Sequence, residues 1–184
     1  MFDWLANPHR FSKLTGYLQL PLIILSTTMI SLGLYYGLFD SPKDYQQGDA
    51  VRIMYVHVPS AWLASFLYFS LALSCIFYLV WKHPLADLIA NTIAPIGLIF
   101  SILTLITGSL WGKPMWGTWW VWDARLTSML ILFFFYLGFI LLSNAFERKI
   151  DGSETASVLA IIGLINLPII KFSVGWWHTL HQPS

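Results

Sequence analysis

The chain has 184 residues, 57% hydrophobic and 10% charged, where an ordinary soluble domain carries about 25% charged residues, so a water-soluble globule is excluded. Ten Lys or Arg against nine Asp or Glu leave a net charge of +1, with no basic excess to hold a polyphosphate, and nucleic acid is not an expected partner. The single cysteine, Cys75, excludes an internal disulfide, a CxxC redox pair and a covalent CxxCH attachment site.

Crossing a bilayer takes about 20 apolar residues, and the chain supplies five runs free of Asp, Glu, Lys and Arg that approach or exceed this. The first, Leu14 to Phe39, follows MFDWLANPHRFSKL with no small-residue cleavage site, so it is read as an uncleaved span. A polar loop from Asp40 to Arg52 leads to the second run, Ile53 to Trp81, and His57 with Val58-Pro59-Ser60 reads as the start of that helix, since proline is tolerated in a first turn. A tight turn, Lys82 to Asp87, precedes the third run, Leu88 to Gly112. Then comes a tryptophan-rich segment, Trp111 to Asp123, and the fourth run, Leu126 to Phe146. A charged loop, Glu147 to Glu154, separates it from the fifth, Thr155 to Ile170, which extends to about Trp177 if Lys171 snorkels its ammonium outward. The expected fold is therefore all-α, a polytopic membrane bundle with five transmembrane helices in one domain spanning residues 1–184. No internal repeat is evident.

Arg10, Lys13, Lys82, Arg148 and Lys149 fall on one side of this topology and Lys43, Arg52, Lys113, Arg125 and Lys171 on the other. The balance is even, so the flanks of the first span orient the chain. Arg10 and Lys13 precede it, and Asp40, Asp44 and Asp49 follow it, which favours a cytoplasmic N-terminus and an outer C-terminus. Eight of the ten tryptophans then lie outside: Trp62, Trp111, Trp116, Trp119, Trp120, Trp122, Trp176 and Trp177, with Trp4 and Trp81 inside. A headgroup belt populates both interfaces, so the asymmetry points to a binding platform. Helical spacing relates Trp116, Trp119, Trp120 and Asp123, and a short surface helix, even with Gly117 inside, would gather them on one broad apolar face. Such a face suits a large planar ligand, each indole contact adding about 0.5 to 1.5 kcal/mol beyond burial. A porphyrin meets that description.

No histidine lies at the centre of an apolar run, which disfavours an intramembrane electron-transfer haem. His57 and, at the end of the fifth span, His178 and His181 come to the tryptophan side, whereas His9 and His83 face away. Unprotonated imidazole nitrogen is a common axial ligand to haem iron. Asp123, just before the fourth span, is equally suited to cap that helix. Arg52 and Arg125 are candidates for pairing with propionate carboxylates, or simply face water or lipid phosphates.

The string WGKPMWGTWWVWDARLTS, with HVP at His57, DYQQG before it, NLPI and the tail WWHTLHQ, resembles the CcmC family of cytochrome c maturation within the broader superfamily that shares a WWD segment. The likeness covers essentially the whole chain. It implies that haem b sits at the outer, periplasmic face of a bacterial inner membrane against residues 111–123, flanked by histidine-bearing elements at 40–58 and 173–184. It further implies His57 and His181 as axial ligands of the haem iron, with His178 variable, and Trp111, Trp116, Gly117, Trp119, Trp120, Trp122 and Asp123 as the platform. The implied partners are the haem chaperone CcmE, the ABC transporter subunits CcmA and CcmB, and the small membrane protein CcmD. The implied role is haem binding and transfer rather than catalysis, and no nucleophile, acid–base pair or hydrolytic metal motif is seen in the sequence. The resemblance also implies six spans, of which five are read in these 184 residues. Two other readings are a haem lyase subunit, which would add a large outer domain and intramembrane histidines, and a lipid-linked glycan transferase, whose acidic metal cluster is missing here.

Overall fold

In a computed structural model, which describes residues 8–177, the chain is helical throughout its long segments. Helix α1 spans Pro8–Tyr35, α2 Val51–Trp81, α3 Pro84–Trp116, α4 Ala124–Ser143, α5 Lys149–Ile162 and α6 Asn166–Trp176. A single 3-10 turn, Gly163–Ile165, joins α5 to α6, so that the two cross as one span. Among the described residues, five helical segments are long and apolar enough to span a membrane: 12–40, 51–81, 84–116, 124–143 and 149–176. This is a multi-pass membrane protein.

The observed helix bounds depart from those of the charge-free runs. α2 begins at Val51, placing His57 in its second turn and Pro59 inside the helix rather than at its start. α3 begins at Pro84, capped by His83, and continues through Lys113 and Pro114 to Trp116. α4 stops at Ser143, and the expected loop from Glu147 to Glu154 is mostly the first turns of α5. Backbone pairing continues past the apolar stretch because a helix end has no reason to coincide with the first charge, and snorkelling side chains tolerate the overlap.

Two compact units divide the chain, Met1–Tyr55 and Val56–Ser184. In the first, α1 carries no charged residue from Leu14 onward and its side chains are exposed from Leu14 to Tyr36, the pattern of a helix whose solvent is lipid. Its end widens into a π turn, Tyr36–Asp40, where Gly37 is buried so closely under Tyr55 that an added Cβ would stand 2.9 Å from the tyrosine Cβ. In the following loop Asp44 Oδ1 accepts from the amides of Gln46 and Gln47 at 2.9 and 2.8 Å. The Lys43 ammonium binds Asp49 at 2.7 Å and holds that carboxyl below its ordinary range.

In the second unit α3 reverses the soluble rule of large apolar groups inside. α3 turns a seam of Ala86, Ala90, Ala94, Gly97, Ser101, Thr104 and Thr107 inward, while Ile89, Ile96, Ile99 and Ile106 stand exposed. Lipid offers leucine no reason to hide, so helices gain by close approach of small residues and by hydrogen bonds between them. At the centre Tyr68 and Tyr136 meet edge to face at 5.0 Å. Tyr136 donates to the Ala64 carbonyl at 2.7 Å, and Tyr68 to that of Ala160 at 3.1 Å. Each ring rests on a glycine: a Cβ on Gly97 would fall 2.2 Å from Tyr136 Cζ, and one on Gly163 1.9 Å from the Tyr68 hydroxyl. Asn166, buried at the helical joint, donates to the Ser128 carbonyl at 2.8 Å and ties α6 to α4.

Candidate functional site

Antiparallel packing in the second unit brings the start of α2 beside the end of α3. His57 Nδ1 lies 3.0 Å from Thr107 Oγ1, and the ring passes over Gly108, where a Cβ would come within 3.1 Å of His57 Cε1. The same end carries the last turn of α3, the tryptophan segment, the start of α4 and the end of α6. His83, the N-cap of α3, belongs to the opposite end, as expected from the sequence.

The tryptophan segment is not a surface helix. Trp111 and Trp116 belong to the final turns of α3, meeting edge to face at 5.1 Å. Gly117 then adopts φ +78°, a left-handed conformation that closes the helix through its amide to the Lys113 carbonyl at 3.1 Å. Residues 118–123 continue without helical pairing until Asp123 caps α4. The 3.6-residue spacing of Trp116, Trp119, Trp120 and Asp123 is overridden at Gly117, the residue type that most readily ends a helix this way.

The resulting surface is aromatic nonetheless. Trp111 is buried, and Trp116 packs over Gly112, where a Cβ would lie 3.2 Å from its ring. Trp120 and Trp122 meet edge to face at 5.4 Å. Trp119 is exposed, with the Lys113 ammonium 5.7 Å above its ring. On α2 Trp62 is exposed and is met by the Lys171 ammonium of α6 at 5.6 Å. This is the direction in which a snorkelling lysine was expected to reach. Trp176 and Trp177, both exposed, end α6.

Asp123 is buried, and its Oδ1 accepts from the Leu126 amide at 2.8 Å, which makes it a helix cap. In the second unit the Arg125 Nε and the Trp120 Nε1 are buried donors with no hydrogen-bond partner among the described residues. Arg52 belongs to the first unit, where one of its terminal nitrogens donates to the Ser41 carbonyl at 3.0 Å and stands 3.8 Å from Asp49. His178 and His181 lie outside the described residues. Thr107, Gly108 and Lys113 are the participants that sequence reasoning passed over. The signal for the first two is a Thr-Gly pair inside an apolar run, where a polar residue without a neighbouring charge invites the question of its partner.

Comparison with known proteins adds a lineage. The family model CcmC, heme exporter protein C, matches residues 1–184. The heme exporter protein C of Bradyrhizobium diazoefficiens is 52% identical over 180 residues, covering 98% of this chain and 68% of that protein. That of Escherichia coli K12 is 47% identical over 180 residues, covering 98% and 74%. A ccmC-like mitochondrial protein of cytochrome c biosynthesis from Marchantia polymorpha is 52% identical over 156 residues, covering 85% and 66%. The chain thus spans between 66% and 74% of the length of these relatives.

Proposed function

Because the chain belongs to the heme exporter protein C family, CcmC, we propose that it handles haem for cytochrome c maturation by binding haem b at the tryptophan end of its second unit and handing it to the chaperone CcmE. The observation that carries this reading is His57, held by Thr107 at 3.0 Å at the same end of the bundle as the aromatic segment. An anchored imidazole supplies a directed iron ligand. Indoles at the same end of the bundle supply flat apolar cover, and Arg125, with an unsatisfied buried Nε, is suited to a propionate carboxylate. Arg52 is a second propionate candidate, already engaged with Ser41.

Haem is cargo here, so it must leave as well as bind. Trp119, Trp122, Trp176 and Trp177 are exposed rather than enclosed, which suits a ligand presented at an edge to a second protein. His181 completes the axial pair, Trp111, Trp116, Gly117, Trp120 and Asp123 complete the platform, and Asp123 acts there by fixing the start of α4. The tryptophan end faces the periplasm from the bacterial inner membrane, with the N-terminus cytoplasmic. CcmA, CcmB and CcmD are the assembly partners. The chain's own contribution is binding and transfer without a catalytic step.

The test is an absorption spectrum of the detergent-purified protein after haem addition, with and without CcmE. A haem band is expected that falls about tenfold or more in His57→Ala and in His181→Ala, and that moves to CcmE when the chaperone is added. A band unchanged in both variants overturns axial ligation, and a band that CcmE leaves untouched overturns the hand-off.

A further inference from the structure

The partners of Thr107 bear on which nitrogen of His57 carries a proton. The Thr107 hydroxyl has one hydrogen, and its oxygen lies 2.7 Å from the Leu103 carbonyl and 3.3 Å from that of Thr104. Two oxygens at 2.7 Å repel unless a proton lies between them, so the hydroxyl hydrogen is spent on the helix backbone. What remains toward His57 Nδ1, 3.0 Å away, is a lone pair. A lone pair accepts only from N–H. In the neutral ring the proton therefore sits on Nδ1, and Nε2 holds the lone pair.

Resting on the reading of His57 as an iron ligand, we propose that Thr107 is a positioning residue that fixes His57 in the Nδ1–H tautomer and so presents Nε2 to the haem iron. Gly108 completes the seat. Its missing side chain lets the imidazole lie against α3, because a Cβ there would press on Cε1 at 3.1 Å and lift the ring away from Thr107. The arrangement gives rigid orientation at a helix surface and raises the basicity of the coordinating nitrogen through the Nδ1–H···O bond. Neither Thr107 nor Gly108 carries a charge, which suits a site at the edge of a low-dielectric membrane where a buried carboxylate in the same role would incur a desolvation penalty or shift its protonation.

The experiment is 15N NMR of the haem-free, full-length protein in detergent with labelled histidine, the His57 signal assigned by its loss in His57→Ala. His57 should show an unprotonated Nε2. In Thr107→Val, nearly isosteric and lacking the hydroxyl, a substantial Nε2-protonated fraction should appear and haem retention should fall about tenfold. Thr107→Ser should restore both to within about twofold. The His83 signal, whose Nδ1 accepts from a backbone amide, should keep its protonated Nε2 in every variant and reports that the fold is intact. A protonated Nε2 on His57 in the unmodified protein, or a tautomer indifferent to Thr107→Val, overturns the proposal whatever haem does. Serine failing to restore what valine removes also overturns it. If the tautomer is as expected but His57→Ala leaves haem binding unchanged, the ligand reading is what fails, and the purpose assigned to Thr107 fails with it.

Discussion

The two ends of the second unit carry the same residue types to opposite effect. At the end where α2 gives way to α3, His83 turns its Nδ1 to the Leu85 amide at 3.2 Å and serves as a helix cap. Lys82 pairs with Glu154 at 2.7 Å, and Asn91 closes onto Asp87 at 3.0 Å. Polar groups there find partners in their own neighbourhood. At the other end His57 Nδ1 meets Thr107 Oγ1 at 3.0 Å, buried donors on Trp120 and Arg125 lack partners among the described residues, and indoles stand exposed. A histidine whose Nδ1 accepts is left with its proton on Nε2, and one whose Nδ1 donates keeps a lone pair there. A single hydrogen-bond direction separates the capping histidine from the proposed ligand.

The largest expected effect removes the comparison altogether. Gly97→Ala would drive a methyl into the Tyr136 ring, 2.2 Å from Cζ, and the ring cannot swing aside without giving up its 2.7 Å bond to the Ala64 carbonyl. Overpacking of this kind costs about 1 to 3 kcal/mol, and the lost tyrosine bond up to about 2 more. Both ends should fail together. Thermal unfolding in detergent should drop sharply, and haem retention should fall in parallel with the folded fraction. Loss of haem with an unaltered melting profile would mean that the tyrosine core is coupled to the site and does not merely support it.

A smaller effect separates the ends. Replacing Trp116, Trp119 and Trp120 together by Ala should lower haem retention about tenfold or more, since each aromatic contact contributes about 0.5 to 1.5 kcal/mol beyond burial. The same change at Trp81, exposed and stacked on Phe77 at 5.0 Å, should leave haem retention alone. Equal losses at both ends would identify the tryptophans as a headgroup belt and nothing more.

The spans were legible because hydrocarbon tolerates so few charges that Asp40, Lys82 and Glu147 nearly mark their limits. Their ends were not. Lys113, Lys149 and Asp151 are accommodated inside helices that the charges had seemed to close. The tryptophan segment was legible as a surface and illegible as a backbone: periodicity favoured a helix, while Gly117 at φ +78° obeys the local preference of glycine for a left-handed terminus. A cap was one of the two readings that the position of Asp123 offered, and the bond from the Leu126 amide bears that one out. Thr107 was missed because a threonine in an apolar helix ordinarily satisfies itself on the backbone behind it. It does so here too, toward Leu103. What makes it more than that is His57, fifty residues earlier, and a contact across helices leaves no mark in local pattern.

The smallest expected effect tests whether the capped end is truly inert toward the site. Lys82 and Glu154 join the α2–α3 turn to α5 through a 2.7 Å ion pair whose side chains are 54% and 44% exposed. Pairs that open to solvent contribute about 0.2 to 1 kcal/mol at most, because water screens the attraction and two long side chains lose freedom in holding it. Lys82→Ala should therefore lower the melting temperature only slightly, and less at high salt, where the pair in the unmodified protein is already weakened. Haem retention should not change, since Lys82 and His57 stand at opposite ends of α2. A clear loss of haem in Lys82→Ala, with melting nearly unchanged, would show that the two ends communicate along α2 and that the division between a capped end and a binding end is drawn too sharply.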